Sequence, residues 1–148
     1  MANLDTSFMK EAIAEARIAF DMGEIPVGAV VVKDGEIIGR GHNTREKDSD
    51  ISGHAEINAL RDASKHLGSW DLSGCTIYVT LEPCAMCAGA ILQSRLRTLV
   101  YGQEDLMEGG LSKYRLFEHG NASTLVEGGL LREECAALLS DFFKNLRK

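Results

Sequence analysis

Between Asp5 and Met22 apolar residues return every three or four positions, at Phe8, Ala12, Ile13, Ala16, Ala19 and Phe20, with Lys10, Glu11, Glu15 and Arg17 between them. That spacing predicts an amphipathic first helix. Gly23 suits its C-cap, and Pro26 blocks its continuation. From Val27 to Lys33 the chain is β-branched and mostly apolar, Asp34-Gly35 is a turn signal, and Ile37 and Ile38 restore strand character between Glu36 and Arg40. A β-hairpin is expected there.

The polar run from Gly41 to Asp50 reads as a surface loop. Ser52 is the expected cap of a second helix, with Ile57, Leu60 and Leu67 facing inward and Gly68 at its end. His54 and Glu56 then fall in its first turn. Cys75 to Leu81 alternates as a strand and runs straight into Glu82-Pro83-Cys84, where Pro83 suits the first turn of a third helix carrying Ala88, Ile91 and Leu92 inward. A further strand is expected at Thr98 to Tyr101 and a last one at Leu125-Val126. Between them Gln103 to Asn121 is irregular, with room for one short helix at Tyr114 to Phe117. Leu130 to Leu146 predicts a C-terminal helix with Leu131, Cys135, Leu138, Leu139, Phe142 and Phe143 on its apolar side. Helix, hairpin, then alternating helices and strands imply an α/β domain with helices on both faces of the sheet.

Composition narrows the class. The 148 residues suit one domain, 1–148, with one sizeable core. No apolar run approaches a membrane span and no leader pattern opens the chain, so a cytoplasmic protein is expected. Four cysteines in such a chain read as reduced thiols or metal ligands. The formal charge of −6 means that any contact with nucleic acid is local.

Cys84 and Cys87, three apart at a helix start, can reach one ion, but alone they also fit thiol redox chemistry or buried packing. Of the four histidines, His54 is followed two residues later by a carboxylate, Glu56, at a helix start. If the two helix N-termini meet, His54, Cys84 and Cys87 make three ligands of an open zinc site and Glu56 stands beside it as a proton shuttle. Taken separately, each pair has a bland reading, in buried thiols or a helix-capping His-x-Glu. Their joint placement at two helix starts favours the catalytic one. A closed structural site would need Cys75 or Cys135, and both read better as core.

At these residues the chain resembles the zinc-dependent cytidine and adenosine deaminases, whose pattern is H-x-E with P-C-x-x-C. Here it reads His54-Ala55-Glu56 and Pro83-Cys84-Ala85-Met86-Cys87. Gly23 to Ala29, Gly41-His42-Asn43, Leu67 to Trp70, Thr80 to Cys84 and Glu133 through Arg147 extend the likeness toward the bacterial tRNA-specific adenosine deaminases. It covers nearly all of the chain except about 103–124, a stretch that is acidic at Glu104, Asp105 and Glu108.

The resemblance implies a three-layer α/β/α sandwich around a five-stranded mixed sheet, usually a homodimer, with one Zn2+ per subunit held by His54, Cys84 and Cys87. It makes Glu56 the proton shuttle, gives Asn43 a hold on base or ribose, sets the Ala55 N–H against the exocyclic side of the ring, and places Glu24 to Val27 in the pocket wall. It implies hydrolytic conversion of adenosine to inosine at the wobble position of a tRNA anticodon loop, with release of ammonia. The basic end of the last helix, at Lys144, Arg147 and Lys148, suits phosphate. Two other readings stand beside it: a deaminase of a free base such as cytosine or guanine, and a catalytically silent zinc-binding subunit.

Overall fold

The protein is described from a computed structural model over residues 5–118 and 123–146. His119, Gly120 and Asn121 of the irregular stretch, and Arg147 and Lys148 of the basic end, lie outside the described residues. Elements follow in the order α1 (Thr6–Asp21), β1 (Gly28–Lys33), β2 (Glu36–His42), α2 (Ala55–Leu67), β3 (Thr76–Leu81), α3 (Ala85–Gln93), β4 (Thr98–Gln103), a 3-10 turn at Leu116–Glu118, β5 (Leu125–Gly128) and α4 (Arg132–Leu146). Among the described residues no helix is long and apolar enough to cross a membrane.

The five strands form one mixed sheet in the order β2-β1-β3-β4-β5. β1 runs antiparallel to both β2 and β3, whereas β3, β4 and β5 are parallel. The hairpin turns at Asp34 and Gly35, both in the left-handed region that the tight turn requires. Strand alternation then feeds two cores. Ala29, Val31, Ile77, Val79 and Leu99 face one side with Ala55, Ala59, Ala63 and Ile91. Val30, Val32, Tyr78 and Val100 face the other, against Met9, Ala12, Ile13 and Cys135. β1 and β3 are therefore buried on both faces, and α2 and α3 form one outer layer while α1 and α4 form the other.

Close approach decides how α2 sits. Of the expected inward residues Leu60 is buried and Ile57 and Leu67 are half-buried, while the innermost face is the small-residue stripe Ala55, Ala59 and Ala63. That stripe lies directly on Gly39 and Gly41 of β2, where an added Cβ would drive into the Ala59 and Ala55 carbonyls. Two further boundaries differ from expectation. His54, not Ser52, is the N-cap of α2, and the Ser52 hydroxyl instead donates to Asp50. Pro83 lies just outside α3, whose N-cap is Cys84. The 3-10 turn falls two residues later than the expected short helix. Cys75 and Cys135 are core residues, as their settings in the sequence implied.

Candidate active site

β3 delivers Cys84 directly from its C-terminal end, at the line where the sheet changes from parallel to antiparallel pairing. Such a crevice is where α/β sheets place ligands. On the α2 side, His54 holds an extended backbone at the N-cap, with φ −88° and ψ 153°. Cys84 does the same at the N-cap of α3, with φ −68° and ψ 177°. Neither side chain makes a capping hydrogen bond. Both point instead toward each other.

His54 Nδ1 stands 3.6 Å from Cys84 Sγ and 3.5 Å from Cys87 Sγ. All three donor atoms lie within 4.8 Å of one another, and they are the metal-competent cluster found among the described residues. Tetrahedral zinc takes sulfur at about 2.3 Å and imidazole nitrogen at about 2.0 Å, which sets N···S at about 3.5 Å. The observed separations fit that ion, and three donors leave its fourth position open.

The charges in the cluster are strongly linked. Cys84 is drawn down to about 4, first by its hydrogen bond with Cys87 and also by His54, against the cost of burial. Cys87 is pushed up by that same bond, by burial and by the Glu56 charge. The pair therefore shares one proton, which an incoming cation displaces. The hydrogen bond with Cys84 raises His54. Glu56, 4% exposed, is pushed up to about 7, mainly by burial and then by the Cys84 charge. A carboxyl poised near neutrality can both take and give a proton.

A cavity of about 360 Å³ opens over the cluster. His54, Ala55, Glu56 and Cys84 form its floor, Ile25, Val27, Asn43 and Arg45 one wall, and Leu81, Glu82, Asp105 and Glu108 the other. Ala55 is the first residue of α2, so its N–H has no acceptor within the helix and is available to a ligand. Asn43 is buried, and its Oδ1 accepts from the Arg45 N–H at 3.0 Å. Its amide nitrogen remains the group it can offer inward.

Of the expected wall stretch Glu24 to Val27, Pro26 does not line the cavity, and neither does Glu24. It is buried behind the pocket, where its carboxylate accepts from the N–H groups of Glu46 and Lys47 at 3.1 and 2.7 Å. It shapes the loop that carries Arg45 rather than touching the cavity. Arg45 and Glu82 were not singled out from the sequence, and Asp105 and Glu108 stood out there only for the acidity of their stretch. Glu82 carried a signal, since it is an acidic residue on the threshold between a buried strand and Pro83-Cys84; the others lie on loops whose path only the fold defines.

Comparison with known proteins places this geometry. A family model described as MafB19-like deaminase matches residues 3–147. A tRNA-specific adenosine deaminase of Bacillus subtilis is 48% identical over 147 residues, covering 97% of this chain and 91% of that protein. A solved structure from a study of A-to-I editing by tRNA:A34 deaminases superposes with a TM-score of 0.88 at 42% identity, over 91% of this chain and 100% of that one. A guanine deaminase from B. subtilis reaches 40% identity with a TM-score of 0.65, over 69% of this chain and 66% of that one. With identity this high along almost its whole length, the chain belongs to the tRNA-specific adenosine deaminases of the MafB19-like deaminase family.

Proposed function

We propose that this protein is a zinc-dependent aminohydrolase that converts adenosine to inosine at the wobble position of tRNA. The observation that carries the reaction is the three-donor cluster of His54, Cys84 and Cys87 with its open position beside buried Glu56. The substrate rests on near full-length similarity to tRNA-specific adenosine deaminases, which outweighs the shorter match to a guanine deaminase. That shorter match favours a free purine base as the competing substrate.

His54, Cys84 and Cys87 would hold the zinc, one per subunit. When bound, the ion supplies Lewis-acid activation of water. The chain's own residues do the rest. Glu56 takes one proton of the attacking water and delivers it to the ring nitrogen as the oxygen bonds to C6, then moves the second proton of that oxygen to the amino group, so that the C6–N bond breaks, ammonia leaves and inosine forms. Val27 and Ile25 pack on the base, the Ala55 N–H and the Asn43 amide orient it, and Arg45 lies at the rim where a phosphate passes. A wobble base in a single-stranded loop enters without the cost of leaving a duplex stack. We further propose a homodimer, which the open groove bordered by Ile57, Leu60, Ala90 and Trp70 supports.

The test is ammonia release by zinc-loaded protein from an anticodon stem-loop with a wobble adenosine, beside adenosine, guanine and cytosine. Turnover on the stem-loop is the expected result. Turnover on free bases alone overturns the tRNA reading in favour of the free-base one.

A further inference from the structure

Glu82 is not a ligand of the cluster, yet it is 1% exposed, and its carboxylate is the most heavily bonded side chain around the pocket. Oε1 accepts from the Asp105 N–H at 3.0 Å and from the Ser112 hydroxyl. Oε2 accepts from the N–H groups of Leu111 and Ser112, at 3.1 and 2.7 Å. All four donors belong to the single loop that follows β4. That loop supplies Asp105 and Glu108 to the pocket wall.

Little else holds the tip of the loop in place, although Leu111 at its far end packs against the core. Its apolar residues Leu106 and Met107 are 73% and 74% exposed, so hydrophobic burial does not anchor its tip. Within the loop the Met107 and Glu108 N–H groups donate to Asp105 Oδ1, and toward the metal-side segment the Gly110 N–H donates to the Pro83 carbonyl at 2.7 Å and Gly109 bridges to Cys84. Gly109 is packed so closely that a Cβ there would strike Glu82 Oε2. Loop and carboxylate therefore fit only one way.

We propose that Glu82 is a positioning residue that sets substrate affinity, by wrapping residues 105–112 around its carboxylate and so holding the acidic wall over the base. The substrate named in the test rests on the wobble-adenosine reading. Glu82→Gln aims an amide N–H2 at N–H groups and loses acceptors the loop needs. Gly109→Ala leaves the carboxylate in place and displaces the loop from it. For both variants, zinc content stays stoichiometric, KM for the stem-loop rises by at least about tenfold and kcat falls by no more than about threefold. Amide exchange at Asp105, Leu111 and Ser112 accelerates in both.

An unchanged KM in either folded variant overturns the proposal, as does a loss confined to kcat or one that follows loss of zinc. Should Glu82→Gln not fold, Gly109→Ala decides alone. If the wild-type protein acts only on a free base, the tRNA reading falls while the KM comparison on that base still judges Glu82.

Discussion

Glu56 lies in the first turn of α2, buried, and lines the pocket beside His54 and Cys84. Burial near neutrality suits a group that must change protonation twice in a cycle, and such groups contribute roughly 10²–10⁴-fold to rate. Glu56→Ala therefore lowers kcat by about that factor with zinc stoichiometry intact. Parallel loss of metal and activity would instead make Glu56 a structural prop. The ligands carry a pH signature of their own. Cys87 and His54 both hold protons more tightly in the metal-free fold than free side chains do, and bound zinc excludes those protons. Zinc affinity therefore falls as pH falls, and at neutral pH each ion releases about one proton or more. Calorimetry in two buffers of different ionisation enthalpy reads that number; affinity independent of pH would show that the ligands lie elsewhere. These four residues were legible from the chain because His54 and Glu56, like Cys84 and Cys87, fall within one helical turn of each other. Glu24 was misplaced because its partners, the Glu46 and Lys47 amides, are more than twenty residues away.

At the scale of elements, the site depends on how tightly α2 seats on β2, since that contact aims His54 and Glu56. Large apolar residues at helical spacing pointed to Ile57, Leu60 and Leu67 as the inward face; Leu60 is buried as expected, but the innermost stripe is Ala55, Ala59 and Ala63. Periodicity identified the helix, but its weighting by side-chain size hid the rotation about its axis. The complementary signal lay in β2, where Gly39 and Gly41 alternate on the side facing α2. Small residues on both elements allow backbones to meet, and an added methyl there has nowhere to go. Gly41→Ala should cost about 1–3 kcal/mol, the usual range for overpacking a close contact. Its denaturation midpoint would shift accordingly, with zinc affinity weakened because the Ala55 end of α2 is displaced. A midpoint equal to that of the wild type would mean that α2 is free to slide. Caps were hard to place for a related reason. Ordinary capping chemistry favours Ser52 over His54, yet a residue committed to a metal can occupy the N-cap and leave the helix end open for substrate.

For the whole molecule, the order of elements was enough to imply layered α/β architecture, because helices and strands alternate after the hairpin and the strands must be covered. Strand order and the antiparallel insertion of β1 beside β3 follow from long-range pairing and had no local sign in the chain; the resemblance implied a five-stranded mixed sheet, and the structure gives its order. Assembly belongs to this scale as well. α2 and α3 cover one face of the sheet, but Ile57, Leu60 and Ala90 leave a groove between them that is open along its length. Trp70 borders it, 61% exposed, with the Arg95 guanidinium 5.0 Å above its ring. A large aromatic paired with arginine on an apolar surface is typical of an interface core. The proposed homodimer would bury this face, and stable dimers of standard size enclose about 1,200–2,000 Å² in total. Because Trp70 is the only tryptophan in the chain, its emission reports the event directly. On dilution the emission should shift to the red as sedimentation falls from dimer to monomer, and Trp70→Glu should sediment as a monomer at every concentration while keeping its zinc. A wild-type protein that sediments as a monomer at micromolar concentration, with Trp70 emission independent of dilution, would remove the dimer from the proposal.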